Sequence, residues 1–82
     1  MPDKPVFIVR HARNRMRRDG VAPSMIDEAI DSPDDIEDTI EGRHNYWKRV
    51  EFGWLRVTIA DEAEQLVVVS VVVKERRPGR RR

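Results

Sequence analysis

The chain has 82 residues, of which 39% are apolar and 38% are charged, so it is long enough for one small domain and too short for two. It contains no cysteine, which excludes disulfide bonds and thiolate metal sites as sources of stability. Its 16 basic and 15 acidic residues give a formal net charge of +1, an average that neither favours nor excludes a nucleic-acid partner.

The charges are unevenly distributed along the chain. Residues 1–20 carry six basic and two acidic side chains, whereas residues 21–41 carry eight acidic side chains and no basic one. Residues 42–82 are basic overall. This distribution predicts one surface that suits an anion and another that repels it or meets a basic partner.

The first two predicted elements are a short strand and a helix. Residues 6–9 are apolar and partly β-branched, which predicts a strand that pairs with others later in the chain. Residues 11–19 are mostly good helix formers and Gly20 follows them, so we expect a helix that ends there in left-handed geometry. Ala12 and Met16 form its narrow apolar stripe.

A second helix is predicted to begin at Pro23, because proline lacks the N–H group that would have no partner at the first helical position. Val21 and Ile26 suit a hydrophobic staple at this end, and Pro33 stops the helix. Both predicted helices have about nine residues, too few to persist alone, so they must pack on a larger element.

That larger element is a predicted sheet in the second half of the chain. Residues 35–42, 45–52 and 55–59 place apolar side chains at alternating positions, and residues 65–74 are apolar at almost every position. The order predicts an α+β domain over residues 1–74. It comprises a short N-terminal strand, two short helices, and a three- to four-stranded antiparallel sheet with the helices on one face.

The last predicted strand implies a second apolar face on this sheet. If Val67, Val69, Val71 and Val73 face the helices, strict alternation turns their apolar neighbours to the other side, where no third layer covers them. We therefore predict a partner interface at Leu66, Val68, Val72 and Trp54. A protein partner or a second copy would occupy it. The alternative is that the sheet curls and its own tryptophans cover the face.

The first predicted helix is rich in arginine. Arginine binds phosphate through two parallel N–H groups and stays charged, so this helix suits a nucleic-acid backbone and would bind it in a salt-dependent manner without reading its sequence. Candidate contacts are Arg13, Arg17 and Arg18 on the helix and Lys48 on the sheet. The alternative is that these arginines pair with the acidic side chains of residues 21–41.

Two histidines are candidates for proton transfer, because their unperturbed pKa of about 6.5 suits a reaction near neutral pH. Metal-free RNA cleavage needs groups that move protons and a cation that stabilises the phosphorane. The candidate catalytic residues are His11 with Arg15 from the first helix, and His44 with Tyr46 from the sheet. The alternative is that His11 packs or caps the helix and that His44 lies in a turn. We expect neither a metal nor another cofactor, because the histidines show no metal-ligand spacing.

Residues 75–82 are predicted to form a disordered basic tail, because proline and glycine interrupt a run of arginines there. Arg76 and Arg77 are the candidate RNA contacts in this tail. The alternative is a solvated end that only improves solubility.

Other function classes have no support in the sequence. There is no phosphate-binding glycine loop, dinucleotide-binding turn or serine or cysteine nucleophile motif. No stretch has the roughly 18 apolar residues of a membrane span, and the first residues lack the features of a signal peptide. We therefore expect a cytoplasmic protein without a membrane partner.

The run His11-Ala12-Arg13-Asn14-Arg15-Met16 resembles the His-Ala-x-x-Arg-Met signature of a bacterial family of unknown function. The resemblance extends over residues 6–73. It includes Arg18 to Val21, the acidic residues 31–34 that follow the second helix, and the strand at residues 55–59. Ala22 departs from the family pattern, because relatives tend to have a capping serine at this position. That family is similar to the RelE/ParE toxin superfamily, whose small α+β folds include ribonucleases neutralised by antitoxins. The resemblance marks His11, Arg13 and Arg15, and it implies RNA or the ribosome as target and an antitoxin-like protein as partner.

Two functional hypotheses follow. The first is a toxin-like RNA-binding protein that acts as a metal-free ribonuclease, with phosphate held by the helix arginines. The second is a non-enzymatic module that dimerises or binds a protein partner through the exposed face of the sheet. Salt-dependent RNA binding is expected only from the first.

Overall fold

The computed structural model describes residues 4–39 and 42–76. In chain order, the elements are β1 (Val6–Ile8), α1 (Arg10–Asp19), α2 (Pro23–Asp31), β2 (Asp35–Asp38), β3 (Arg43–Val50), β4 (Gly53–Asp61) and β5 (Leu66–Lys74). The predicted α+β class is confirmed. Neither helix in the described part of the chain is long and apolar enough to cross a membrane.

All strands form one five-stranded sheet in the order β1-β5-β4-β3-β2. Neighbours among β2 to β5 are antiparallel, but β1 pairs with β5 in parallel. The expected antiparallel sheet is therefore present as the four strands β2 to β5, and the parallel pairing of β1 makes the whole a five-stranded mixed sheet. β1 is only three residues long and is held at this edge because Leu66 N–H donates to Pro5 O at 2.9 Å and Val9 N–H donates to Val68 O at 3.1 Å.

The core lies between the two helices and one face of the sheet. α1 contributes its predicted stripe of Ala12 and Met16, and α2 contributes Ile26 and Ala29. The sheet contributes Leu55, Val57, Ile59, Val68 and Val71. Each large aliphatic side chain buried here stabilises the fold by about 1.5–3 kcal/mol, which is how two helices too short to persist alone are held in place.

A β-bulge in β5 changes which of its side chains face the helices. Thr58 pairs with Ser70 but Ile59 pairs with Val68, so Val69 is an extra residue that interrupts the alternation. Val68 consequently lies in the core with no exposed surface, and Leu66 packs against the core. The prediction that Leu66 and Val68 face away from the helices is wrong, because it assumed an unbroken pleat.

The face of the sheet turned away from the helices, called the outer face below, carries hydrogen-bonded polar side chains. Glu37 Oε1 accepts from Trp47 Nε1 and from Asn45 Nδ2, both at 3.0 Å. Thr58 Oγ1 donates to Asn45 Oδ1 at 2.6 Å. Trp47 is only 2% exposed, although both helices of the described chain pack on the opposite face of the sheet. Part of the outer face is therefore covered by the protein's own side chains.

Two glycines with positive φ give a matched test of backbone strain. A Cβ at Gly53 (φ +143°) would overlap the Lys74 carbonyl oxygen, whereas a Cβ at Gly20 (φ +73°), where α1 ends as predicted, would meet nothing within 4 Å. We expect Gly53→Ala to lower the free energy of unfolding by about 3 kcal/mol or more and Gly20→Ala by about 1 kcal/mol. Urea denaturation of both variants checks this, and equal midpoints would contradict it.

Candidate nucleic-acid interface

The rotation of α1 on the sheet decides where its arginines point. Ala12 and Met16 are buried, so the remaining positions lie on two flanks and on the solvent side of the helix. Arg13 and Arg17 lie on one flank, and Arg15 lies on the other. Four of the five arginines of α1 therefore lie in two separate pairs instead of one continuous row, with Arg18 beside Arg15 on the second flank.

The first flank of α1 borders an open cavity of about 240 Å³. Arg13 and Arg17 line it together with Met16, Val21 and Pro23. Arg13 Nε donates to Ile8 O at 3.1 Å, which anchors this side chain at the end of β1 and leaves its terminal nitrogens for a ligand. The combination of two guanidinium groups with an apolar floor suits a phosphate group attached to a less polar body.

The second flank borders an open cavity of about 220 Å³, lined by His11, Asn14, Arg15 and Arg18. Asp19 balances part of the positive charge at this cavity. Arg15 Nε lies 3.4 Å from one oxygen of the Asp19 carboxylate, and Arg18 Nε lies 3.7 Å from the other. Arg15 Nε is buried and makes no hydrogen bond in the described structure. Two proposed functional residues, His11 and Arg15, are therefore brought to one cavity.

The acidic segment that follows α1 does not neutralise its arginines. Within the described ranges, the only acid paired with an α1 arginine is Asp19 of the same helix. Asp38 instead pairs with His44, and Asp34 Oδ2 accepts from the Arg49 backbone N–H at 2.7 Å. The described structure therefore does not support the alternative that the arginines of α1 pair with the acidic side chains of residues 21–41.

The second pair of predicted catalytic residues lies elsewhere. His44 on β3 is held by Asp38 on β2, with Nδ1 and Oδ1 2.8 Å apart, and Tyr46 packs against the core. Hydrogen bonds and ion pairs in the described structure do not join His11 to His44. The four predicted catalytic residues thus form two groups, and only the group on α1 lies among arginines.

The remaining predicted contacts are dispersed. Lys48 Nζ donates to Ser32 O at 2.8 Å and so fastens the end of α2. Arg76 lies at the far end of the β3–β4 hairpin, and Arg77 lies outside the described residues, as do residues 78–82 of the predicted tail. Trp54 and Val72 are on the outer face, as predicted.

Arg56 is a half-buried residue of the outer face. Its position in β4 predicts the face on which it lies but not that it is buried there. Burial lowers the pKa of Arg56, and the negative charge of Glu37 opposes this shift. One of its terminal nitrogens donates to Ser70 Oγ at 3.4 Å, while its buried Nε has no partner in the described structure. Its neighbours come from other strands, so only the sheet register reveals its surroundings.

Comparison with protein-family models, curated proteins and solved structures found no match to this chain. Among the described residues, no three histidine, aspartate or glutamate side chains are grouped as a metal site requires.

Proposed function

We propose that this protein binds RNA through α1, with phosphate groups held in the two arginine-lined cavities that flank the helix. The observation that carries the proposal is the set of five arginines on one ten-residue helix, which pair with no acid outside that helix in the described structure. Asp19 offsets only part of this positive charge, and the remainder favours binding of a polyanion.

The choice of RNA comes from the motif that begins at His11. Arginine recognises the phosphates of RNA and DNA alike, so the geometry alone supports a nucleic-acid backbone of either kind. The resemblance of residues 11–16 to a family similar to RelE/ParE toxins favours RNA. An antitoxin-like protein partner and a RelE/ParE-like fold belong to the same proposal.

The shared cavity of His11 and Arg15 supports a cleavage step within this proposal. His11 would accept the proton of a ribose 2′-hydroxyl group as its oxygen attacks the adjacent phosphorus. Arg15 would stabilise the additional negative charge on the phosphorane. The 5′-oxygen then leaves and takes a proton from water, and His11 gives its proton to the hydroxide that remains. The products are a 2′,3′-cyclic phosphate and a 5′-hydroxyl end.

RNA binding is tested with a 12-nucleotide single strand whose 2′-hydroxyl groups are methylated, so that cleavage cannot remove the probe. If α1 holds four phosphates, the logarithm of the binding constant falls with the logarithm of salt concentration with a slope of about −2.8. A fluorescence anisotropy titration at several salt concentrations measures this slope. No binding at low salt would overturn the proposal.

Cleavage is tested separately on an unmodified strand. We expect His11→Ala to lower the cleavage rate by about 100-fold or more, because general acid–base catalysis contributes roughly 10²–10⁴-fold. Asn14→Ala in the same cavity is the matched control and should keep most of the rate. Equal rates for His11→Ala and the wild type would remove His11 from the mechanism, and an uncleaved strand would restrict the function to binding.

The alternative of a non-enzymatic interaction module has less support. Four residues were predicted to form its interface, and two of them, Leu66 and Val68, lie on the core side of the sheet. Trp54 and Val72 remain on the outer face, but they lie beside polar and charged side chains such as Arg56. A dimer in light scattering together with absent RNA binding would favour this alternative.

A further inference from the structure

We infer that the far end of the β3–β4 hairpin is a stacking site for an unpaired nucleotide base. Aromatic and arginine side chains meet there, because β3 and β4 end at the turn and β5 ends beside it. The side chains that line the site are those of Arg49, Phe52, Trp54 and Arg76 together with Glu51 and Glu75. The inference rests on the proposed RNA binding and adds the kind of RNA that is bound.

Arg49 and Trp54 form the centre of the site. They are direct neighbours across β3 and β4, and the Arg49 guanidinium carbon lies 5.6 Å from the centre of the Trp54 ring, within the range of a cation–π contact. The Arg49 side chain is exposed, so a base can reach it from solvent. Bases stack on guanidinium planes as well as on aromatic rings.

Phe52 gives the site a second planar surface. It lies in the turn between β3 and β4 and is 48% exposed, so its ring is accessible from solvent. The cavity that it lines with Trp54 has a volume of about 500 Å³, within the roughly 300–1,000 Å³ typical of small-molecule sites. This volume accommodates a nucleotide.

The charges of the site favour a base over a bare phosphate. Arg49 and Arg76 supply two positive charges, while Glu51 and Glu75 supply two negative charges. A dianionic group would gain little in this balanced environment, whereas a flat neutral ring gains from stacking, and the carboxylates can accept hydrogen bonds from its N–H groups.

The backbone fixes this arrangement. Gly53 has φ +143° and lies so close to Lys74 that a Cβ would overlap its carbonyl oxygen. This approach brings the end of β5, with Glu75 and Arg76, against the turn that carries Phe52. The stacking site is therefore a consequence of one close backbone contact.

The test compares the binding of two strands of equal charge to the 82-residue protein. One is the 12-nucleotide 2′-O-methyl RNA, and the other is an abasic strand with the same number of phosphates. Stacking of one base predicts that the wild type binds the RNA roughly 5- to 150-fold more tightly than the abasic strand. Phe52→Ala should lose most of this difference, whereas Phe7→Ala, which removes another exposed aromatic side chain on β1, should keep it.

The outcomes separate this inference from the proposed function. Equal affinity of the wild type for both strands would overturn the stacking site and leave phosphate binding by α1 intact. An unchanged preference in Phe52→Ala would also overturn it. Absence of binding to either strand would instead contradict the proposed function itself.

Discussion

Replacing Arg13 and Arg17 together with alanine is expected to lower the affinity for the 2′-O-methyl RNA strand by roughly 25-fold at 0.1 M salt, because two phosphate contacts are lost and each contributes about 0.7 to the salt slope. The slope itself should become shallower by about 1.4. Both side chains are exposed on one flank of α1, so the fold should remain intact. Anisotropy titrations between 0.05 and about 0.3 M salt measure both quantities.

A control variant separates this effect from a loss of net charge. Arg43 is an exposed arginine at the start of β3, far along the sequence from α1 and without a role in either α1 cavity. Arg43→Ala should change the affinity by less than about twofold, because a charge that contacts no phosphate acts only through screened long-range attraction. If Arg43→Ala and Arg17→Ala weaken binding equally, RNA binding follows overall charge and not the α1 cavities.

The basic surface of α1 could be predicted from the sequence because it depends on local features. Helix formers, the spacing of Ala12 and Met16, and Gly20 after the last turn define both the helix and the side that it buries. Once this side is known, the directions of the arginines follow. The position of two acidic side chains could be predicted in the same way, since Asp27 and Glu28 lie on the exposed side of α2.

The hairpin-end site could not be predicted in this way. Arg49 and Trp54 meet only because Val50 pairs with Gly53 across a tight turn, and Arg76 joins them only because β5 ends beside that turn. Sequence spacing carries no information on such pairs until the sheet register is known. For the same reason the contact between His44 and Asp38 appears only when β2 is seen to pair with β3.

In β5, a single extra residue makes the prediction of side-chain direction from alternation wrong. A run of valines satisfies alternation in either phase, because both faces are apolar. Val69 shifts the phase within the strand, so Val68 and Val71, three positions apart, both face the core. No residue type in the run marks the bulge, and it becomes visible only in the pairing with Thr58 and Ile59.

This bulge predicts opposite fates for two aspartate substitutions in β5. Val68→Asp should destabilise the protein by about 5 kcal/mol, because it removes about 2 kcal/mol of apolar burial and places a carboxyl group where the core offers no partner. A domain of this size has little more stability than that in total. The variant should therefore be largely unfolded at 25 °C, with loss of its circular dichroism signal and of any urea transition.

Val72→Asp should remain folded and lose less than about 1 kcal/mol. Val72 is partly exposed on the outer face and lies directly across from Arg56, so the new carboxylate gains an opposite charge at a cross-strand position. Strict alternation would place Val68 and Val72 on the same face and predicts similar effects for both. Equal stability of the two variants would therefore contradict the bulge. A folded Val72→Asp variant and an unfolded Val68→Asp variant would show that the two side chains lie on opposite faces, as the bulge requires.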